Sequence, residues 1–178
     1  MTRLALIDAA TSTGKTKELL DGVIANLGRA PNMMRAMVNS PAVLEIYLTV
    51  NTILARGMLS AELRELIAIT VAQANQCEYC LSAHTAKGKK LGLDTNTLVT
   101  AQRSRAVDAK TNAALNFARL LIENKGDVSD EELSAVSTVG YSDGEIAEII
   151  AVTTFNIFPN YFNKVANTTL DFPKAALV

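Results

Sequence analysis

Helix start signals recur along this sequence, and they constrain its fold more than any other feature. Ser129 with Glu132, and Ser142 with Glu145, have the spacing of a capping box. In that motif the serine hydroxyl accepts a backbone N–H of the first helical turn, and the glutamate carboxylate accepts the N–H of the serine. We therefore expect one helix to begin after each of these two serines.

The first half of the chain carries similar signals. Ser40 followed by Pro41 predicts a helix that continues to about Arg56, because serine is a common N-cap and proline is favoured at the first helical position. Ser60 is expected to cap the next helix, whose apolar residues recur every three or four positions. A third helix is predicted from about Glu78 to Lys90.

The composition favours packed helices as well. Hydrophobic residues make up 49% of the 178 residues, aromatic residues only 5%, and tryptophan is absent, so the core is mainly aliphatic. No alternating strand pattern competes with the helices outside residues 4–7. The chain is therefore predicted to be all-α, with Pro159 kinking or breaking the last long helix.

The charge balance disfavours two classes of partner. Lys and Arg number 17 and Asp and Glu number 18, and the basic residues form no stripe of the kind that binds nucleic acid or a membrane surface. The first fifteen residues lack the features of a signal peptide, and no apolar stretch has the length of a membrane span. We expect a cytoplasmic protein, a compartment in which a CxxC pair is more often redox-active or metal-binding than structural.

Two segments of the sequence resemble each other. Residues 62–72 match residues 145–155 at an offset of 83, with five of eleven positions identical. We interpret the match as an internal duplication, although two amphipathic helices can also agree by chance. The duplication predicts three pairs of buried counterparts, Leu63/Ile146, Leu66/Ile149 and Ile67/Ile150.

Continued along the chain, the same offset predicts how the two copies differ. It aligns three asparagines with the residues of the CxxC segment, Asn160 with Cys77, Asn163 with Cys80 and Asn167 with His84. One copy would then carry redox groups that the other lacks. We predict a single domain over residues 1–178, with an N-terminal helical extension of about 1–39 and repeat units of about 40–95 and 107–170.

The thiol and imidazole chemistry of the chain is concentrated in eight residues. Cys77, Cys80 and His84 include both cysteines and the only histidine. On a helix their side chains fall within an arc of about 60°, so one face presents all three. A helix N-terminus and a nearby imidazole both favour the thiolate, which is the reactive form of cysteine.

Glu65 is the fourth candidate. Its neighbours three, four and seven positions further along the helix are Ala68, Ile69 and Ala72, which is unusual company for a solvated carboxylate. We expect a buried Glu65 with a raised pKa that exchanges protons with a thiol or the imidazole. An ordinary surface acid or ion-pair partner is the competing interpretation.

Two other interpretations compete for the cysteines. Zinc could take Cys77, Cys80, His84 and Glu65 as ligands, but the second CxxC or HxxxH half-site that most such sites have is missing. The cysteines could also be small buried residues beside a core histidine. We predict no metal and no cofactor.

Glu65, the Cys77-x-x-Cys80 pair and His84 together resemble the core motif of the AhpD-like alkylhydroperoxidases within the carboxymuconolactone decarboxylase superfamily. The resemblance implies an AhpD-like helical fold, here with an internal pseudo-repeat, and assembly into homo-oligomers. It also implies that these four residues form a proton relay. Tyr79 departs from the pattern, because the best-known peroxidase members have a second histidine at this position; its hydroxyl is a possible relay group.

The function that we predict is a thiol-dependent peroxidase. One thiolate, expected to be Cys80 because it is nearer His84, attacks the peroxide, and Cys77 then closes a disulfide. A dithiol or a protein reductant must reset the pair. The alternatives are a non-catalytic thiol redox switch or sensor and an enzyme similar to carboxymuconolactone decarboxylase.

Overall fold

The computed structural model describes residues 2–178, in which it has nine α-helices and no β-strand, so the all-α prediction is confirmed. None of the helices within these residues combines the length and the apolar run that crossing a bilayer requires. The helices are α1 (Gly14–Leu27), α2 (Asn32–Met37), α3 (Pro41–Leu54), α4 (Ala61–Ala74), α5 (Glu78–Lys90), α6 (Thr95–Gln102), α7 (Ala109–Glu123), α8 (Asp130–Thr138) and α9 (Asp143–Ala166).

Both predicted capping boxes are formed. The Ser129 hydroxyl accepts the N–H of Glu132 at 3.2 Å, and the Glu132 carboxylate accepts the N–H of Ser129 at 2.8 Å. The same reciprocal pair joins Ser142 and Glu145 at 3.3 and 2.8 Å. These caps start α8 and α9, because they satisfy backbone N–H groups that have no partner within the helix.

The three helices predicted for the first half of the chain are present. α3 begins at Pro41 as predicted and ends at Leu54, two residues before the predicted end. The hydroxyl of Ser60 accepts the N–H of Leu63 at 3.1 Å and starts α4. The bounds of α5 agree with those predicted from the sequence.

Of the two effects predicted for Pro159, the break is wrong, because α9 continues through this residue to Ala166, and the kink stays a prediction. A proline inside a helix removes one backbone hydrogen bond and crowds the preceding turn, which costs about 3 kcal/mol. Burial of α9 side chains before and after the proline, such as Ile149 and Ala166, offsets that cost.

The chain forms two compact units. The first comprises residues 2–55 and 162–171, and in it α3 packs against α1 and α2. Asp171 links residues 162–171 to the N-terminal part of this unit. Its carboxylate accepts hydrogen bonds from Arg29 at 2.6 Å and from the N–H of Asn32 at 3.0 Å.

The second unit comprises residues 56–161 and 172–178, and α4 is its central helix. α5, α6 and α7 all pack on α4, and every residue of α4 from Glu65 to Gln73 is buried. The apolar surroundings inferred for Glu65 are therefore confirmed. Burial of a helix on all sides fixes its position, so α4 is a rigid base for the residues that it carries.

The two similar segments differ in burial. Leu66 and its counterpart Ile149 are both buried, but Ile67 is fully buried while Ile150 is 38% exposed. The prediction that Ile150 is buried is wrong, because it lies on a side of α9 that reaches the surface. The duplication itself, and the division into residues 1–39, 40–95 and 107–170, stay predictions.

Candidate active site

The site begins at the connection between α4 and α5. α4 ends in a Schellman motif, in which the N–H of Cys77 bonds to the Ala72 carbonyl at 2.9 Å and the N–H of Gln76 to the Gln73 carbonyl at 3.0 Å. Gln76 has the left-handed φ of 54° that this motif requires. The chain reverses direction within three residues, so Cys77 directly follows the end of the buried helix.

Cys77 is also the N-cap of α5. Its Sγ accepts the N–H of Cys80 at 3.3 Å, and both side chains are thiols rather than halves of a disulfide. Cys77 is 2% and Cys80 3% exposed, so solvent barely reaches either residue. A helix N-terminus and a donated N–H both favour a thiolate, and here they act on Cys77.

His84 and Glu65 are in direct contact. Nδ1 of His84 lies 2.8 Å from Oε2 of Glu65, which joins α5 to the middle of the buried α4. The sequence predicted both residues, and the structure brings them together although they are 19 positions apart. The pair lies on the side of α5 on which Cys80 lies one turn earlier.

The sequence analysis missed one residue of this site, Lys87. Its ammonium contacts Oε1 of Glu65, so the carboxylate has His84 on one oxygen and Lys87 on the other. Lys87 is three positions after His84 and continues the helix face on which Cys80 lies. That spacing was a usable signal.

The two cations reverse the prediction made for the pKa of Glu65. Burial by itself would raise that pKa, but the charge and hydrogen bond of His84, and then those of Lys87, lower it from 4.5 to about 2. The raised pKa inferred from apolar neighbours is therefore wrong. Glu65 is a carboxylate at any physiological pH.

The ionised carboxylate determines the tautomer of the imidazole. A carboxylate can only accept hydrogen bonds, so Nδ1 of His84 must carry the hydrogen in its contact with Glu65. In a neutral imidazole, Nε2 is then the ring nitrogen without a hydrogen, and it can accept one. The contact with Glu65 fixes the orientation of an imidazole that lies one helical turn after Cys80. A base that activates a nucleophile needs such a fixed orientation.

The same contacts test the zinc interpretation. Both oxygens of Glu65 and Nδ1 of His84 are engaged with each other or with Lys87. Across residues 2–178, no three side chains of His, Cys, Asp or Glu converge as the ligands of a metal ion would. Glu65 and Nδ1 of His84 therefore already have partners, which disfavours these atoms as zinc ligands.

Tyr79 lies elsewhere on α5. Its ring packs edge-on against Phe172, with centroids 5.6 Å apart. On the helix it is about 100° from Cys80 and about 140° from His84. Its role as a relay group stays a prediction.

Residues 172–178 brace the connection between α4 and α5. The N–H of Ala175 donates to the Ser82 hydroxyl at 3.0 Å, which holds the second turn of α5. The side-chain amide of Gln73 bonds to both the carbonyl and the N–H of Val178, at 2.7 and 3.2 Å, which holds the end of α4. This segment therefore fixes the two helices from which the site is built.

The three asparagines aligned with the CxxC segment have local structural roles. Asn160 is buried and accepts a hydrogen bond from Asn75, the residue that caps the end of α4, at 3.0 Å. Asn163 is buried and lies 3.0 Å from the Met33 sulfur, while Asn167 has a left-handed φ of 47° just after α9. Asparagine has no thiol, so these three side chains cannot carry the chemistry of a cysteine pair.

Comparison with known proteins supports the resemblance stated from the motif. Residues 41–123 match the carboxymuconolactone decarboxylase family, and this segment contains Glu65, Cys77, Cys80 and His84. The predicted resemblance is therefore confirmed. No curated protein matches the sequence.

Three solved structures have a similar fold. An uncharacterized peroxidase-related protein from Silicibacter sp. TM1040 is 24% identical with a TM-score of 0.84, covering 98% of this chain and 92% of that one. An uncharacterized peroxidase-related protein with an AhpD core, from Ralstonia eutropha JMP134, is 20% identical with a TM-score of 0.86, covering 96% and 92%. The debrominase Bmp8 is 21% identical with a TM-score of 0.75, covering 88% and 86%. The AhpD-like fold predicted from the motif is confirmed.

Proposed function

We propose that this protein is a thiol-dependent peroxidase that reduces peroxides through Cys77 and Cys80. The observation that carries the proposal is the contact of 2.8 Å between Glu65 of α4 and His84 of α5, the helix that Cys77 caps and whose first turn contains Cys80. The family match and the peroxidase-related proteins of similar fold agree with it.

The first chemical step is the attack of a thiolate on one peroxide oxygen. An S–O bond forms, the O–O bond breaks, and the thiol becomes a sulfenic acid. His84 takes the thiol proton at Nε2 and returns it to the departing oxygen, which leaves as water or an alcohol. Glu65 keeps the imidazole oriented during this transfer.

The second step closes the disulfide. The other thiol attacks the sulfenic acid, an S–S bond forms, and water leaves. A dithiol or a protein reductant then supplies two electrons and two protons to restore both thiols. We propose Cys80 as the attacking residue because it is one helical turn from His84, and Cys77 as the resolving residue.

A steady-state assay with hydrogen peroxide and excess dithiol tests this proposal. We expect turnover in the wild type and none in Cys77→Ser or Cys80→Ser, because neither variant can form the intramolecular disulfide. Trapping of the sulfenic acid identifies the attacking cysteine, since Cys77→Ser should still form it and Cys80→Ser should not.

Asn163→Ala is the matched control, because this position aligns with Cys80 in the second similar segment, and it should keep most of the activity. Mass spectrometry after one equivalent of peroxide should show no alkylatable thiol in the wild type. Two remaining thiols, or turnover in either cysteine variant, would contradict the mechanism.

A redox switch is the second candidate, and the burial of both thiols favours it. With 2% and 3% exposure, Cys77 and Cys80 offer little surface to a substrate that must arrive and leave repeatedly. A switch would be oxidised by peroxide once and reduced slowly. The steady-state assay separates the two, since a switch gives no sustained turnover with excess dithiol.

We also propose that the protein is a cytoplasmic homo-oligomer. Reducing conditions keep a CxxC pair as thiols. In the first compact unit, Ile46 and Ile53 lie two turns apart on α3, and more than half of each side chain is exposed, as at surfaces that become buried between subunits. Sedimentation at micromolar concentration should give a mass above 19.1 kDa, and a monomer would contradict the assembly.

A further inference from the structure

Glu65 is a buried carboxylate with two cationic partners of different kinds. The imidazole of His84 faces one oxygen, and the ammonium of Lys87 faces the other. An imidazole loses its charge when it gives up a proton at neutral pH, whereas a lysine ammonium keeps its charge. Only Lys87 can therefore compensate the carboxylate in every protonation state of His84.

The surroundings of Glu65 offer no substitute for Lys87. Of the helices that pack on α4, α5 brings both cationic partners, and α6 and α7 bring none. Within residues 2–178, His84 and Lys87 are the ionisable groups that act on the carboxyl. The rest of the environment is the buried interior, which penalises an uncompensated charge.

We propose that Lys87 is a positioning residue that holds Glu65 charged and in place when His84 is neutral, so that a proton taken from a thiol stays on the imidazole. The proposal rests on the peroxidase function proposed above. It extends that function to Lys87, a residue outside the Glu, CxxC and His motif. In this role Lys87 determines that the proton stays on His84 and does not pass to Glu65.

The consequence of losing Lys87 follows from the cost of a buried charge. With a neutral His84 and no ammonium, Glu65 would be an uncompensated carboxylate, so its pKa would rise and it would compete with the imidazole for the proton. A protonated Glu65 no longer keeps the hydrogen on Nδ1 of His84, and the base at Nε2 is lost. The pKa of about 2 for Glu65 agrees with the presence of both cations.

The exposure of Lys87 also suits this role. Its side chain is 62% exposed, while that of Glu65 is only 4% exposed. The lysine stem can lie along the protein surface while its ammonium keeps part of its hydration. Lys87 therefore supplies a permanent charge to a buried carboxylate without being buried itself.

Titration of Glu65 by carboxyl-carbon NMR tests the proposal without any peroxide. Reduced protein labelled at the glutamate carboxyl carbons is titrated downward from pH 7, and the Glu65 signal is assigned by its loss in Glu65→Gln. We expect Lys87→Met to raise the midpoint by more than about one pH unit, and Lys87→Arg to restore it. Lys89→Met is the matched control, because it removes the same charge from another side of α5 and should leave the midpoint unchanged.

Thiol oxidation by one equivalent of hydrogen peroxide gives the second readout. We expect Lys87→Met to slow this reaction and to move the low-pH limb of its rate profile to higher pH, and Lys87→Arg to react as the wild type does. Circular dichroism checks that each variant is folded. A Glu65 midpoint that is the same in Lys87→Met and Lys89→Met would overturn the proposal.

The two readouts separate this proposal from the peroxidase function. Lys87→Met could raise the titration midpoint of Glu65 while the wild type shows no peroxide turnover. In that case the stabilisation of the Glu65 carboxylate by Lys87 is supported and the peroxidase assignment fails. If the wild type turns over peroxide but the pH profile of Lys87→Met is unchanged, the peroxidase stands and the role of Lys87 is wrong.

Discussion

Glu65 in α4 and Glu148 in α9 occupy the same position in the two similar sequence segments, but their carboxylates have different kinds of partner. Glu65 is bound by two ionisable side chains, His84 and Lys87. Glu148 is bound by backbone N–H groups, which are not ionisable. The same residue at matching positions therefore has ionisable side-chain partners in one region and backbone partners in the other.

The backbone partners of Glu148 belong to the connection between α3 and α4. Its carboxylate accepts the N–H of Met58 at 2.7 Å and the N–H of Leu59 at 3.0 Å. Gly57 makes this approach possible, because a Cβ there would lie 2.5 Å from a Glu148 oxygen. Glu148 thus fixes a loop, which supports the start of the buried helix α4.

The two regions also differ in where the helix ends. The offset that aligns Glu65 with Glu148 aligns Gln76 with Pro159. α4 ends just before Gln76, which turns the chain in the left-handed conformation, whereas α9 continues through Pro159. Only the first region therefore places a residue, Cys77, at the N-terminus of a new helix, where a thiolate is favoured.

The largest effect that we expect separates the two glutamates. Glu65→Gln should lower the rate of thiol oxidation by about 10²-fold or more, because an amide does not hold His84 as a base and base catalysis contributes about 10²- to 10⁴-fold. Glu148→Gln should keep the rate and lower the free energy of unfolding by about 1 kcal/mol, because charged acceptors bind N–H groups more strongly than neutral ones. Stopped-flow oxidation and urea unfolding measure the two effects.

Equal loss of rate in both variants would remove the functional distinction between the two carboxylates. The helical content by circular dichroism should be nearly unchanged in both. A Glu65→Gln protein that oxidises at the wild-type rate between pH 6 and 9 would show that this carboxylate is structural, as Glu148 is.

The next effect separates two isoleucines at matching positions. Ile67→Ala should lower the free energy of unfolding by about 2 to 5 kcal/mol, because it opens a cavity at a fully buried site. Ile150→Ala should cost less than about 1 kcal/mol, since Ile150 is 38% exposed and the site can be filled by solvent. Chemical denaturation measures both changes. If the two variants lost the same free energy of unfolding, Ile67 of α4 and Ile150 of α9 would be equally buried.

The smallest effect concerns the turn that only the first region has. Gln76→Gly should raise the free energy of unfolding by about 0.5 to 1 kcal/mol, because glycine adopts a left-handed φ without the steric cost that glutamine has. Gln76→Ala keeps that cost and should give no gain. If both Gln76→Gly and Gln76→Ala lower the free energy of unfolding, the side-chain hydrogen bond of Gln76 to the Gln73 carbonyl matters more than the backbone conformation of Gln76.

The sequence by itself determined the features that depend on neighbouring residues. Both capping boxes and the start of α4 at Ser60 follow from side chains within three positions of each other. The common face of Cys80 and His84 follows from the helical repeat alone. Burial of Glu65 also followed from local pattern, because a helix with apolar residues on most sides must be covered by others.

Tertiary structure decided the properties that depend on residues distant in sequence. Apolar neighbours predicted a raised pKa for Glu65, and only the packing of α5 on α4 brought the two cations that lower it. The exposure of Ile150 and the continuation of α9 through Pro159 were likewise decided by which sides of α9 are covered. A local pattern specifies that a helix face is apolar, but the other helices determine whether that face is covered and which charges reach it.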